Sequence, residues 1–289
     1  MQHIVDEAQH GSRIDVLATS LLPVLSRAFV QKLCEQGKIL VSNQQVKAGY
    51  KVREGDIVTI NYDPAELEIV PDIDLPVLYE DDDYVVINKP VGVLSHAQGA
   101  LSNEATVASF LRKKLHDLEG PRGGIVHRLD RATSGVMICA KNAKALSFMQ
   151  KQFSQRKAKK TYVAIAQGHL RAKEAIIDMP IERNPKAPAT FRVGASGKPS
   201  STHYLVTQET PHYSMLTLKP ATGRTHQLRV HLAHQGHPIV GDPLYGSGKF
   251  GDRLFLHAAS LEVTLLTKER RVFEAPLPPE FSELLHNDT

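Results

Sequence analysis

The nine residues His127-Arg128-Leu129-Asp130-Arg131-Ala132-Thr133-Ser134-Gly135 constrain this chain more than any other stretch. They set one carboxylate between two arginines, at the mouth of the apolar run Val136-Met137-Ile138-Cys139-Ala140. An aspartate flanked by cations stays ionised even when a substrate covers it. An ionised, positioned carboxylate is what covalent or proton-abstracting chemistry at a sugar or base requires. On spacing alone, a surface aspartate paired with arginines in a turn fits at least as well.

Length sets the frame around that loop. With 289 residues the chain can form one large or two modest domains, each with its own core. At 42% hydrophobic and 23% charged residues it has an ordinary soluble globular composition. No run approaches the roughly 18 apolar residues of a membrane helix. Met1-Gln2-His3-Ile4-Val5-Asp6-Glu7 lacks the basic-then-apolar order of a signal peptide. Cys34 and Cys139 both sit in apolar runs, which points to buried free thiols and a reducing cytoplasm. Nothing in the sequence demands more than a monomer.

The net charge of +4 is unevenly spread. Between Asp72 and Asp83 there are six acids and no base; between Lys141 and Lys173 there are nine Lys/Arg and no acid. Such asymmetry suits a polyanion-binding face, although a solvated helix face has the same look.

Composition and periodicity divide the chain into a first unit over residues 11–70, an acidic, proline-containing linker over 71–83 and a larger unit over 84–285. In the first, Ser12-Arg13-Ile14-Asp15-Val16-Leu17 opens an amphipathic stretch. A second follows with Ser26 as candidate N-cap and Gly37 as stop. Lys38–Ser42 and Asp56–Asn61 read as strands. In the larger unit, strands are expected at Tyr84–Asn88, Tyr162–Ala166, Thr202–Gln208 and Ser214–Lys219. Asn142 caps a helix reaching Arg156, and Thr225 caps another ending at Gly236. Strands outnumber helices and often follow one another, which favours an α+β fold with a mostly antiparallel sheet.

The first unit resembles the S4-like RNA-binding module on Arg13, Asp15, Ser26-Arg27, Gly37, Val46 and Gly55-Asp56. Ser42-Asn43-Gln44 departs from that family's Val-Asn-Gly turn and leaves Gln44 without the usual glycine. The resemblance implies that Arg27, Lys32, Lys38 and Lys51 meet RNA phosphates.

The larger unit resembles the RluA-type pseudouridine synthases. His127–Gly135 matches their H-R-L-D-x-x-T-S-G loop at every fixed position. Lys160-Thr161-Tyr162 is similar to their Lys-x-Tyr element, and Thr222-Gly223-Arg224-Thr225-His226-Gln227-Leu228-Arg229-Val230-His231 to T-G-R-x-H-Q-[IL]-R-x-H. Gly236 to Gly246 and Leu254-Phe255-Leu256-His257-Ala258 are also family-like.

What the resemblance implies is isomerisation of uridine to pseudouridine in structured RNA, with ribosomal RNA favoured over transfer RNA. Asp130 is then the essential carboxylate, Arg229 its ion-pair partner, and Tyr162 the ring that stacks on the target base. Whether Asp130 attacks the sugar, attacks the base or removes a sugar proton stays open. The uridine must be flipped out at a cost of a few kcal/mol, of which stacking returns roughly 1–3 kcal/mol. Arg128 would fill the vacated space, with Lys160, Arg224 and His226 also contacting RNA. Neither redox change nor an outside group is involved, so neither cofactor nor metal is expected.

Two other classes compete. His226, His231, His234 and His237 are dense enough to suggest a metal hydrolase, but their offsets of five, three and three match no standard zinc motif. A non-catalytic RNA-binding or ribosome-assembly factor is the other, against which stands the intact set of Asp130, Tyr162 and Arg229.

Overall fold

The first amphipathic stretch folds as α1 (Ile14–Leu21) and the second as α2 (Arg27–Glu35). These and all later elements belong to a computed structural model that describes residues 1–22, 25, 27–62, 71–97, 104–118, 122–247 and 253–288. Contacts divide the chain into one unit over Met1–Asp72 and Ala97–Ala105 and another over Ile73–His96 and Thr106–Thr289.

In the first unit, α1 and α2 accompany an antiparallel sheet of β1 (Gln2–Ile4), β2 (Ile39–Val41), β3 (Gln44–Gln45) and β4 (Ile57–Ile60), in the order β1-β4-β2-β3. Ile14, Phe29, Val30, Leu33 and Val58 form its core. Ser26, the expected N-cap of α2, lies outside the described residues. Gly37 ends α2 as expected, with φ of 70°. Its N–H donates to the Cys34 carbonyl at 3.1 Å and that of Lys38 to Leu33 at 2.9 Å, the paired bonds of a Schellman motif.

The hairpin after β2 corrects the expectation for Gln44. Val41 pairs with Gln44, so the two-residue turn is Ser42-Asn43. Both have positive φ, 48° and 63°, as a type I′ turn requires. Gln44 is already a strand residue and needs no glycine.

The second unit is built on one nine-stranded sheet. Its strands are β5 (Val77–Glu80), β6 (Tyr84–Lys89), β7 (Ser134–Ala140), β8 (Lys159–Gln167), β9 (Glu174–Asp178), β12 (Ser201–Glu209), β13 (Tyr213–Pro220), β14 (Leu256–Thr264) and β15 (Arg270–Glu274). Apart from these, β10 (Ile181–Arg183) pairs with β11 (Phe191–Val193). The order is β5-β6-β7-β14-β8-β13-β12-β9, with β15 on β14. Every pairing is antiparallel except β7 with β14. Helices α3 (Val107–Leu111), α4 (Ala143–Ser154), α5 (Gln227–His234) and α6 (Pro279–His286) complete the unit. Asn142 caps α4 as expected, its side chain accepting from Ala145 N at 2.9 Å.

The stretch read as linker is sheet from Val77 onward. Val77, Tyr79 and Glu80 pair with Ile87, Val86 and Val85. The acids beyond them make the turn: the Asp81 carboxylate accepts from Asp83 N and Tyr84 N at 2.9 and 2.6 Å. Acidity there serves turn geometry as well as charge.

Candidate active site

Gly135 of β7 pairs with Ala258 of β14, and Ala258 with Tyr162 of β8. The Asp130 loop and Tyr162 therefore stand two strands apart, about 10 Å between backbones. Gly135 has φ of 117°, and a Cβ there would collide with the Ala258 backbone. The glycine ending the loop motif and the alanine of the late Leu-His-Ala strand are thus one close contact seen from two sides. His257 secures it, with Nδ1 2.8 Å from the Ser134 hydroxyl.

The loop rests on two cation-capable side chains that act structurally, His127 half-buried and Lys89 buried. His127 Nε2 accepts from Ile138 N at 3.1 Å, and its ring stacks on Phe153 at 4.5 Å and 17°. Burial, aided by the Lys160 charge, pushes this imidazole down to about 3, so it is a neutral wall. Lys89 is fully buried and donates to the carbonyls of Pro90 and Val93 at 2.8 Å, with Arg131 O at 3.4 Å. Burial pushes its ammonium down to about 7, opposed by the Asp130 charge.

The arginines beside Asp130 in sequence are not its partners. Arg131 donates to the Gly92 carbonyl at 3.2 Å, and Arg128 is exposed. The groups facing Asp130 come from the distant motif: the Arg229 guanidinium, Nη1 at 3.8 Å, and the His226 imidazole, Nε2 at 3.9 Å, from Oδ2. The Asp130 side chain is 23% exposed, and its carboxylate accepts no hydrogen bond from any described residue.

Arg229 meets the expectation of an ion pair with Asp130, but its hydrogen bonds go elsewhere. Nε and Nη2 donate to the two oxygens of Asp242 at 2.8 and 2.7 Å. Asp242 has no exposure and also accepts from Leu244 N and Tyr245 N at 2.9 and 3.1 Å. The Tyr245 ring lies 5.1 Å from the guanidinium carbon, a cation–π contact. This clamp leaves Nη1 as the edge turned toward Asp130.

His226, with φ of 56°, occupies the N-cap position expected for Thr225. No side chain caps α5; Gln227 instead braces the loop before it. The Gln227 amide oxygen accepts from Arg224 N and Thr222 Oγ1 at 3.0 and 2.7 Å. Its NH2 donates to Ser201 O and Thr202 Oγ1, both at 3.0 Å, which ties the loop to β12. His226 Nδ1 lies 2.8 Å from the Tyr245 hydroxyl, and burial pushes the imidazole below its ordinary value against the pull of Asp130. His231 sits between Thr202 Oγ1 and Met179 O, and His237 beside Gln167 O. These histidines serve separate partners and do not converge.

These parts line a cleft of about 460 Å³, within the ~300–1,000 Å³ range of ligand sites. Among the described residues Asp130 is the one carboxylate in its lining, against Arg128, Arg156, Lys160, Arg224 and Arg229. Tyr162 is part of the wall; burial and then the Asp130 charge push its phenol up, so it stays neutral. Lys160 is pushed down by burial, and Arg224 Nε donates to Pro199 O at 3.1 Å. Arg156 takes the glycine-favouring position after α4, with φ of 58°. That conformation costs a non-glycine residue about 1–2 kcal/mol.

Of the first-unit side chains expected at RNA phosphates, Lys32 and Lys51 are exposed and Lys38 is half-buried. Arg27 is committed to Asp15, its Nε 3.0 Å from Oδ2. Sequence reasoning did not single out Lys89, Arg156, Asp242 or Tyr245. Asp242 and Tyr245 lay inside a family-like run, but spacing alone did not tell which cation the carboxylate would hold.

Residues 83–234 match the family model described as RNA pseudouridylate synthase, and residues 12–58 match the S4 domain. A Bacillus subtilis protein, "Uncharacterized RNA pseudouridine synthase YlyB", is 36% identical over 97% of this chain and 95% of its own. Ribosomal large subunit pseudouridine synthase C of Vibrio cholerae is 32% identical, covering 97% and 95%. Ribosomal large subunit pseudouridine synthase D of Escherichia coli is 35% identical, covering 97% and 92%. Among solved structures, human RNA pseudouridylate synthase domain containing 1 aligns with a TM-score of 0.59 and 32% identity, over 74% of this chain and 86% of that one. The chain therefore belongs to the RNA pseudouridylate synthase family, with an S4 domain ahead of its synthase domain.

Proposed function

We propose that this synthase converts uridine to pseudouridine in large-subunit ribosomal RNA, with Asp130 as its catalytic carboxylate. The observation that carries the reading is the state of Asp130. Among the described residues it is the single carboxylate lining a cationic cleft, 3.8–3.9 Å from Arg229 and His226 and free of hydrogen bonds from them. Its acceptor capacity is available to a substrate, with the Arg229 guanidinium beside it. The ribosomal assignment rests on the names of the Vibrio cholerae and Escherichia coli relatives.

In the reaction the bond from C1′ to N1 of uracil breaks and the base rotates. C1′ then bonds to C5, which loses its proton, and N1 gains one. Atoms and oxidation state balance within the nucleotide. Asp130 initiates the exchange, Arg229 and His226 flank its carboxylate, and Tyr162 supports the extruded base. The surrounding cations neutralise the phosphates on either side.

Because C5 gives up its hydrogen, release of tritium from carbon-5-labelled uridine tests the reading. Wild type should release it from large-subunit ribosomal RNA, and from transfer RNA less or not at all. The reverse preference would overturn the ribosomal assignment, and no release from either would overturn the catalytic one. Tyr162→Phe should keep most of the release, whereas Tyr162→Ala should lose roughly 5- to 150-fold, the value of ~1–3 kcal/mol of base stacking.

A further inference from the structure

We propose that the hollow behind His127 and Arg128 is a second nucleotide pocket, taking a base of the same RNA close to the target uridine. The inference rests on the RNA-modifying role just described. The hollow measures about 580 Å³ and shares only His127 and Arg128 with the catalytic cleft. Those two residues form a dividing wall, which the Ile138 N–H bond and Phe153 stacking hold in place.

The lining grades from apolar to cationic. Val126 and Leu146 offer faces for a flat ring, Gln150 a polar edge, and Arg122 and Arg128 stand exposed around them. His96 also lines the hollow, is 7% exposed, and has a buried Nδ1 with no hydrogen-bond partner among the described residues. A nucleobase edge would satisfy that unpaired buried nitrogen. Burial, then the charges of Arg122 and Arg128, push this imidazole down and keep it neutral. A neutral ring between apolar side chains suits a base rather than a bare phosphate. The exposed guanidiniums suit the phosphate attached to that base. An RNA strand crossing the wall would thus place the target on one side and a neighbouring base on the other, with Arg128 between them.

The chain contains no tryptophan, so Gln150→Trp, at an exposed position of α4, creates a sole emitter in the hollow. Titration with a large-subunit ribosomal RNA transcript should quench that emission by more than half, while inorganic phosphate should leave it unchanged. Adding His96→Gln or Leu146→Phe should move the quenching midpoint roughly tenfold toward higher RNA, the size expected for one buried hydrogen bond or a narrowed slot. The two variants fail differently if folding is at fault, and thermal melting separates that case.

RNA that saturates filter binding without altering the emission would overturn the pocket, even if tritium release by wild type were normal. Equal quenching by inorganic phosphate would overturn it in favour of an anion site. Unshifted midpoints in both added variants would do the same. Quenching by RNA without tritium release would instead leave the pocket standing and remove the catalytic reading.

Discussion

Asp15 in the S4 unit and Asp130 in the synthase unit are both aspartates served by arginines, and they are arranged in opposite ways. Asp15 is wholly buried and accepts from Arg13, Arg27 and Gln31 at 2.7–3.0 Å. The Arg13 hydrogen bond, outweighing desolvation, holds its carboxyl far below the usual range. Asp130 faces the Arg229 guanidinium and the His226 imidazole at 3.8–3.9 Å and is hydrogen-bonded to neither. A carboxylate whose lone pairs are all taken holds a fold together. One that feels positive charge without spending its lone pairs is ready for a substrate. Asp242 is what makes the second arrangement possible, because it occupies two donors of Arg229 that would otherwise close on Asp130.

The sharpest way to break this contrast is Asp130→Asn. Turnover should fall by roughly 10²–10⁴-fold, the reach of a positioned acid–base group, while stability changes by no more than about 0.5 kcal/mol. A mutant keeping more than a few per cent of wild-type tritium release would refute the catalytic role. Asp242→Ala comes next. It strands a buried guanidinium and should cost about 3–5 kcal/mol in denaturant unfolding. A loss below about 1 kcal/mol would mean that Asp130 can take over Arg229, and the division of labour between the two carboxylates would fail.

Asp15→Asn should destabilise the first unit by about 3 kcal/mol, since its arginines are half exposed and can rehydrate. Its acid signature can be signed. The folded carboxyl lies below its unfolded value near 4, so its stabilisation is complete above pH 4 and declines as pH falls below it. Wild type should lose more stability through that window than Asp15→Asn does. The mildest test separates free from tied cations in the same unit. Lys32→Ala and Lys51→Ala should each lower the salt slope of RNA binding by about one, while Arg27→Ala should act mainly through stability. Equal salt slopes in all three would erase the distinction.

What the sequence disclosed depended on how local the determinant was. Asn142 and Gly37 act within a turn of their own helices, and both were legible. The Asp130 loop was legible as a motif but misleading as electrostatics, because its adjacent arginines point elsewhere. Its true neighbours, Arg229 and His226, lie about a hundred positions later and arrive through sheet topology. The preference of Arg229 for Asp242 reflects a turn that brings Leu244 and Tyr245 N–H groups onto the same carboxylate, which no spacing rule reveals. Thr225 looked like the cap, yet α5 begins after His226 in a left-handed conformation with no side-chain cap, and Gln227 reaches back to brace the loop.

The contact of Ser134 with His257 spans 123 residues. At a synthesis rate of ~5–20 residues per second, roughly 6–25 s separate the emergence of the two partners. Throughout that interval β7 lacks its parallel neighbour and Tyr162 lacks β14, although the S4 unit already has every residue of its own core. A growing chain therefore passes through a stage with a complete binding module and an unassembled reaction centre. A chain cut short before Leu256 lacks the strand that joins β7 to β8 and so keeps the Asp130 loop and Tyr162 on separate pieces of sheet.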